Sequence, residues 1–171
     1  MNKIILLCGP DGSGKSFLAN QIMKKYPNHV YIHNAVTNDI RSLHENTVRA
    51  AILASEQHTV IIDRLHISEK VYGTLFRNGP SYNISNIERM LDETQRMYGN
   101  VVKIMCMVDK DTSTGIHSKR KEFGDEMFDD NSSVWDMYDK EVKNLSSSWK
   151  VYNWKTDSID LNTFEVKKNT H

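Results

Sequence analysis

Lys3-Ile-Ile-Leu-Leu-Cys-Gly-Pro-Asp-Gly-Ser-Gly-Lys-Ser16 sets an almost unbroken apolar run against a loop with glycines at 9, 12 and 14, then closes on Lys-Ser. A short run without polar alternation reads as a parallel strand covered on both faces. Residues 9–16 fit the spacing G-x-x-x-x-G-K-[ST]. Glycines open backbone conformations closed to other residues, so consecutive N–H groups converge on an anion. In that pattern the lysine, Lys15, reaches the β- and γ-phosphates of a nucleotide, and the hydroxyl of Ser16 ligates Mg²⁺. Residues 15–25 carry Phe17, Leu18, Ile22 and Met23 at helical spacing, so a helix N-terminus faces the same anion. Asp11, Gly12, Ser13, Gly14, Lys15 and Ser16 are therefore the candidate ATP-binding residues, with ATP as phosphoryl donor and Mg²⁺ as its ion. Asp11 is electrostatically unhelpful to an anion unless it faces a hydroxyl, although Asp-Gly is also a favoured turn pair.

Outward from this loop, strand-length apolar runs at 3–8, 30–33, 59–63, 101–108 and 150–154 alternate with amphipathic helical patterns at 15–25, 39–56, 84–98 and 131–145. The run at 150–154 suits an edge. Alternation of this kind predicts an α/β fold of three layers: a parallel sheet of about five strands with helices on both faces, in one domain over 1–171. The polar tail from Thr156 onward is expected to pack loosely. Ligands of such sheets bind beyond the carboxyl ends of the strands, so the segments that follow strands are the informative ones.

The third strand ends in Asp63-Arg64-Leu-His66-Ile-Ser68-Glu69-Lys-Val-Tyr72-Gly73. A carboxylate at the carboxyl end of a strand beside a phosphate loop can hold the water shell of Mg²⁺ or orient an acceptor oxygen. The guanidinium of Arg64 can grip a phosphate through two parallel hydrogen bonds. Without the loop at 9–16, Asp63 and Arg64 would read as a surface ion pair ending a strand. Ser68 is placed to cap or line the helix that follows.

This segment resembles the thymidylate kinase signature D-R-[YH]-x-x-S-x-x-A-Y-Q at Asp63, Arg64, Ser68 and Tyr72, and the Asp11-Gly12 pair is similar to that family's loop. It looks closer still to a phage-type thymidylate kinase-like pattern, D-R-x-H-x-S-E-x-V-Y-G. The resemblance implies a P-loop kinase in which Asp11 approaches the sugar 3′-hydroxyl of the acceptor and Asp63 sits by the metal. Arg64 would bind the acceptor phosphate, with Tyr72 pressing against the sugar. It also implies a homodimer. The departures fall on the base: Gly73 replaces the family's Gln, and its R-E-P segment is absent from 32–36. Arg41 and Arg49 on the second helix are the remaining candidates for base or substrate contact, and both equally suit a solvated helix face.

After the fourth strand, His117-Ser-Lys-Arg-Lys-Glu-Phe-Gly124 is a basic cluster ending in glycine, which suits a mobile lid over about 113–128. Related kinases supply a transition-state arginine from the loop or from the lid. The loop here has none, so Arg120 is the first candidate, with Lys119 and Lys121 behind it. The catalytic set is then Lys15, Asp63, Arg64 and Arg120, the substrate set Asp11, Arg64, Ser68, Tyr72 and Arg41, and the metal pair Ser16 and Asp63.

The 22 basic and 22 acidic residues cancel, which argues against a protein that grips long nucleic acid by its phosphates. The two cysteines lie in apolar runs and read as buried hydrophobes, and no Cys/His spacing suits zinc. No stretch is long enough to span a bilayer, and a cytosolic protein is expected, in the host cytoplasm if phage-encoded. The reading is phosphoryl transfer from Mg·ATP to a deoxynucleoside monophosphate. Its rival is a hydroxyl acceptor, in a deoxynucleoside, a DNA 5′ end or hydroxymethyluracil in DNA, with Asp39 or Asp63 as base. Asp39-Ile-Arg41 loosely resembles the Asp and Arg pair of polynucleotide kinases. A switch GTPase would need a guanine-reading N-K-x-D, which is absent.

Overall fold

The apolar run that opens the chain becomes the central strand of the sheet, buried on both faces along its whole length. The computed structural model describes residues 2–34, 38–122 and 131–169. In chain order the elements begin β1 (Ile4–Cys8), α1 (Lys15–Lys25), β2 (His29–His33), α2 (Ile40–Ala54), β3 (Thr59–Asp63), α3 (His66–Phe76) and α4 (Ser85–Tyr98). They continue with β4 (Val101–Cys106), α5 (Lys110–Glu122), α6 (Asn131–Val142), β5 (Trp149–Tyr152), β6 (Asp157–Ile159) and β7 (Val166–Lys168). The first five strands form one sheet in the order β2-β3-β1-β4-β5, parallel throughout.

Side chains alternate across each strand, so β1 feeds two cores. Ile4, Leu6 and Cys8 pack with Val60, Ile62 and Met105 under α2, α3, α4 and α6. Ile5 and Leu7 pack with Ile61, Ile104 and Cys106 beneath α1. Helices therefore cover both faces, the three-layer arrangement expected. Both cysteines are fully buried, and desolvation pushes the thiols up, to about 11 at Cys8 and about 12 at Cys106.

The polar tail departs from expectation. Its end folds into the antiparallel β6–β7 hairpin, and Phe164 beside it is completely buried in the α1-side core. Tyr26 donates to the Leu161 carbonyl at 2.6 Å, and Lys150 donates to the Phe164 carbonyl at 2.7 Å. One aromatic anchor among sixteen mostly polar residues holds this segment, which averaging over composition conceals. The described part of the expected lid, 113–122, is all of α5 beyond its first three residues; residues 123–130 lie outside the described residues.

β1 lies between β3 and β4, so chain connections leave it in opposite directions across the sheet. A crevice opens at such a reversal, beyond the carboxyl ends of the strands.

Candidate active site

At the carboxyl end of β1 the chain turns tightly enough that glycine is required. Gly9 has φ of 137°, and a Cβ there would collide with the Cys106 carbonyl oxygen of β4. Gly14 has φ of 88° and caps α1 without any side-chain partner, leaving the first-turn N–H groups of the helix directed at the crevice. Lys15 is buried, its Nζ donating to the carbonyls of Gly9 at 2.7 Å and Pro10 at 2.9 Å. Burial and then the nearby Arg64 pull its pKa down, against the carboxylates of Asp63 and Asp11. A nucleotide phosphate would reverse both effects. Ser113 of α5 clamps the loop from above, its hydroxyl donating to the Asp11 carbonyl at 2.6 Å.

The crevice is a cavity of about 590 Å³, within the range of small-ligand sites. Lys15, Ser16, Asp63, Arg64 and Arg120 all line it, together with His33, Phe17, Ile116 and Trp154. Asp63, the last paired residue of β3, accepts on Oδ2 from Tyr31 Oη at 2.7 Å and from His33 Nδ1 at 3.1 Å. Burial alone would raise its pKa, but Lys15 and these two donors outweigh it, and the carboxyl is held below its ordinary value. Its Oδ1 is buried and makes no hydrogen bond among the described residues. That bare oxygen and the exposed hydroxyl of Ser16 on the same cavity wall are the hard donors that Mg²⁺ takes, alongside phosphate oxygens. The residues present thus fit the ion, although no cluster of three carboxylate, imidazole or thiolate ligands occurs among the described residues.

Arg64 holds φ of 69°, a left-handed conformation costly for a side chain of its size. It is tied down from both sides: its N–H donates to the Leu7 carbonyl at 3.0 Å, and Asn34 Nδ2 donates to its carbonyl at 2.7 Å. Thr47 fixes Asn34 in turn through its hydroxyl at 3.1 Å. The twist sends the guanidinium across the crevice to pair with Asp11, and it lies 5.4 Å from the centre of the Tyr72 ring.

Arg64 also lines a second cavity, of about 50 Å³, between the start of α2 and α3. Its walls include Ser68, Tyr72, His44, Glu69 and Arg77. Glu69 is buried and saturated: Arg77 donates to it at 2.6 Å, and Ser81 donates through both its N–H at 2.8 Å and its hydroxyl at 2.9 Å. His44 pairs with the Tyr82 hydroxyl at 2.6 Å, and burial chiefly draws its pKa down to about 4.

The residues singled out in the sequence divide into two groups. Asp11, Gly12, Ser13, Gly14, Lys15, Ser16, Asp63, Arg64 and Arg120 meet at the larger cavity, and Arg64, Ser68 and Tyr72 at the smaller. Ser68 also faces the core, bonded to the Tyr138 hydroxyl at 2.9 Å. Arg41 and Arg49 stand apart on the exposed face of α2, both paired with Glu45. Asp39 caps α2, accepting from the Ser42 N–H at 3.1 Å, and lines neither cavity. Lys119 is exposed on α5, and the side chain of Lys121 lies outside the described residues.

Sequence reasoning missed His33, Phe17, Ile116 and Trp154 at the large cavity, Tyr31 behind Asp63, and His44, Glu69 and Arg77 at the small cavity. Trp154 carried a signal, since it follows the fifth strand at the carboxyl end where ligands bind. It packs against the loop closely enough that a Cβ on Gly14 would lie 2.5 Å from its ring. Lys155 anchors it to the start of α5 through Asp109 at 3.0 Å and Thr112 at 2.8 Å.

No protein-family model matches the chain, and no curated protein matches it in sequence. Solved structures do share its fold. The YorR protein of Bacillus subtilis, in complex with phosphorylated GDP, is 20% identical with a TM-score of 0.62, over 94% of this chain and 90% of that one. The thymidylate kinase of Candida albicans is 18% identical with a TM-score of 0.50, over 88% and 83% respectively. The deoxyadenosine kinase of M. mycoides with bound dATP is 17% identical with a TM-score of 0.50, over 93% of each chain. The five-stranded parallel sheet with helices around it is thus the P-loop kinase fold.

Proposed function

We propose that this protein is an ATP-dependent kinase that passes the γ-phosphoryl group of Mg·ATP to the phosphate of a deoxynucleoside monophosphate, as thymidylate kinases do. The observation that carries this reading is the position of Arg64, one half-buried cation lining both the phosphate-loop cavity and the smaller cavity between α2 and α3. A cation there neutralises an acceptor phosphate facing a donor phosphate, which would otherwise repel each other.

The donor's triphosphate lies along residues 11–16, with its base against Trp154 and Phe17. Lys15 leaves the carbonyls of Gly9 and Pro10 for the β- and γ-oxygens. Ser16 and Asp63 would hold Mg²⁺, whose charge would screen those phosphates from each other. The acceptor phosphate competes with Asp11 for the guanidinium of Arg64, and the carboxylate released from that pair is free to take the acceptor's sugar hydroxyl. Arg120, at the mouth of the same cavity, adds positive charge to the transferring group. Positioning and charge neutralisation supply the rate, and no covalent intermediate with the protein forms. The small cavity is far below the volume of a nucleotide, so the acceptor enters as α2 and α3 part.

A hydroxyl acceptor is the second reading, favoured by the bare Oδ1 of Asp63, an ionised carboxylate oxygen able to take a proton. A coupled ADP-release assay with Mg·ATP separates the two, run against the four deoxynucleoside monophosphates, thymidine, and DNA bearing a 5′-hydroxyl or hydroxymethyluracil. Turnover of a monophosphate is expected, with Lys15→Met lowering kcat about 10²–10³-fold. Turnover restricted to hydroxyl acceptors overturns the first reading.

A further inference from the structure

Asp63 has two oxygens in different circumstances. Oδ2 accepts from Tyr31 and His33, while Oδ1 is buried with no hydrogen bond among the described residues, on a residue that lines the phosphate-loop cavity. The two donors come from β2, an edge strand. Its period of two sets Tyr31 and His33 on one face, and its parallel register with β3 places His33 beside Asp63 and Tyr31 beside Ile61. The phenol then reaches forward along the sheet to the carboxylate.

Burial does not explain Tyr31, a residue 40% exposed whose hydroxyl nonetheless bonds to Asp63. A phenol is protonated at neutral pH, so it donates to the carboxylate it faces at 2.7 Å. An ionised carboxylate only accepts, so His33 donates as well. The terminal torsion of an aspartate is broad and nearly two-fold, so an unanchored carboxylate exchanges its two oxygens. Two donors on the same oxygen remove that freedom.

We propose that Tyr31 and His33 are positioning residues for the metal-bound donor: by occupying Oδ2 of Asp63 they aim Oδ1 at the magnesium ion or its bound water. This inference rests on the donor site described above, and neither residue belongs to the motifs that suggested that site. Partners behind a ligand tune the ion's affinity, and their loss typically weakens it 10–100-fold.

The test is Mn²⁺ binding in the presence of ADP, followed by loss of the free-ion signal in electron paramagnetic resonance, with calorimetric titration of ADP in metal-free buffer alongside. Tyr31→Phe and His33→Leu are expected to raise the Mn²⁺ dissociation constant about ten-fold, with metal-free ADP binding unchanged in Tyr31→Phe. His33→Asn, whose amide nitrogen stands where Nδ1 does, restores the wild-type value. Tyr31→Phe keeps the ring, and thermal melts confirm that each variant is folded. Wild-type ion affinity in both Tyr31→Phe and His33→Leu overturns the inference, with Asp63→Asn still weakening the ion. If the wild type binds no Mn²⁺ with ADP and Asp63→Asn changes nothing, the donor-site reading fails and takes the inference with it.

Discussion

His44 illustrates what a single buried side chain imposes on this protein. Its imidazole sits in the wall of the small cavity, and burial draws its pKa down to about 4, with Glu69 opposing and His66 assisting the shift. The unfolded chain, at the ordinary value near 6.5, then binds the proton more readily than the folded one. Stability from this group is complete above pH 6.5, falls as the pH drops from 6.5 towards 4, and levels off below. Over that window the loss is about 2–3 kcal/mol. Urea midpoints of the wild type should fall across it, and His44→Gln should flatten the slope; equal slopes in the two proteins refute the assignment. Arg64 shows the converse case. Its left-handed backbone costs on the order of 1–3 kcal/mol, and the neighbouring Leu7 and Asn34 contacts hold it there. No local sequence preference announces that twist, yet it is what sends the guanidinium between two cavities.

At the scale of elements, the site is an assembly of strand ends. The loop after β1 supplies the cradle, the end of β3 the carboxylate and arginine, and α5 the clamp of Ser113. The loop after β5 lays Trp154 on Gly14. Trp154→Ala should raise the KM for ATP about ten-fold with little change in kcat, since base–aromatic stacking is worth about 1–3 kcal/mol and acts on ground and transition states alike. An unchanged KM would remove the base from this wall. Gly14→Ala should weaken donor binding and lower the melting temperature together. The double variant Gly14→Ala/Trp154→Ala should show less than the sum of the two losses in donor binding, because both act through one contact. The basic cluster at 117–121 reads as a lid in the sequence; its described part continues a helix that also holds the loop. Arg120 reaches the cavity from that helix.

In the whole molecule, the hairpin β6–β7 closes the α1-side core, and Phe164 is its anchor. Phe164→Ala should cost about 3–5 kcal/mol. That lowers the melting temperature by about 10 °C in a chain of this size, measurable by differential scanning calorimetry; a melting temperature within experimental error of the wild type would mean that the tail is dispensable. The fold was legible in the sequence because its cause is periodic: 4–8, 59–63 and 101–106 are apolar on both faces, and the segments between them repeat at helical spacing. The glycine-rich loop after β1 was legible too, since glycine, lysine and serine at fixed offsets act within one turn of chain. The tail was not, because one phenylalanine decides it and its partners Tyr26 and Lys150 are distant in sequence. The rest of the site was decided only in three dimensions. Tyr31 and His33 reach Asp63 through the register of parallel strands 30 or more residues apart. Asp11 finds Arg64 across the crevice between β1 and β3, and Trp154 finds Gly14 from the far edge of the sheet. Local pattern determines which strands and helices form, because periodic burial drives them. Which side chains converge depends on strand order and register, and these are set by how the whole core packs.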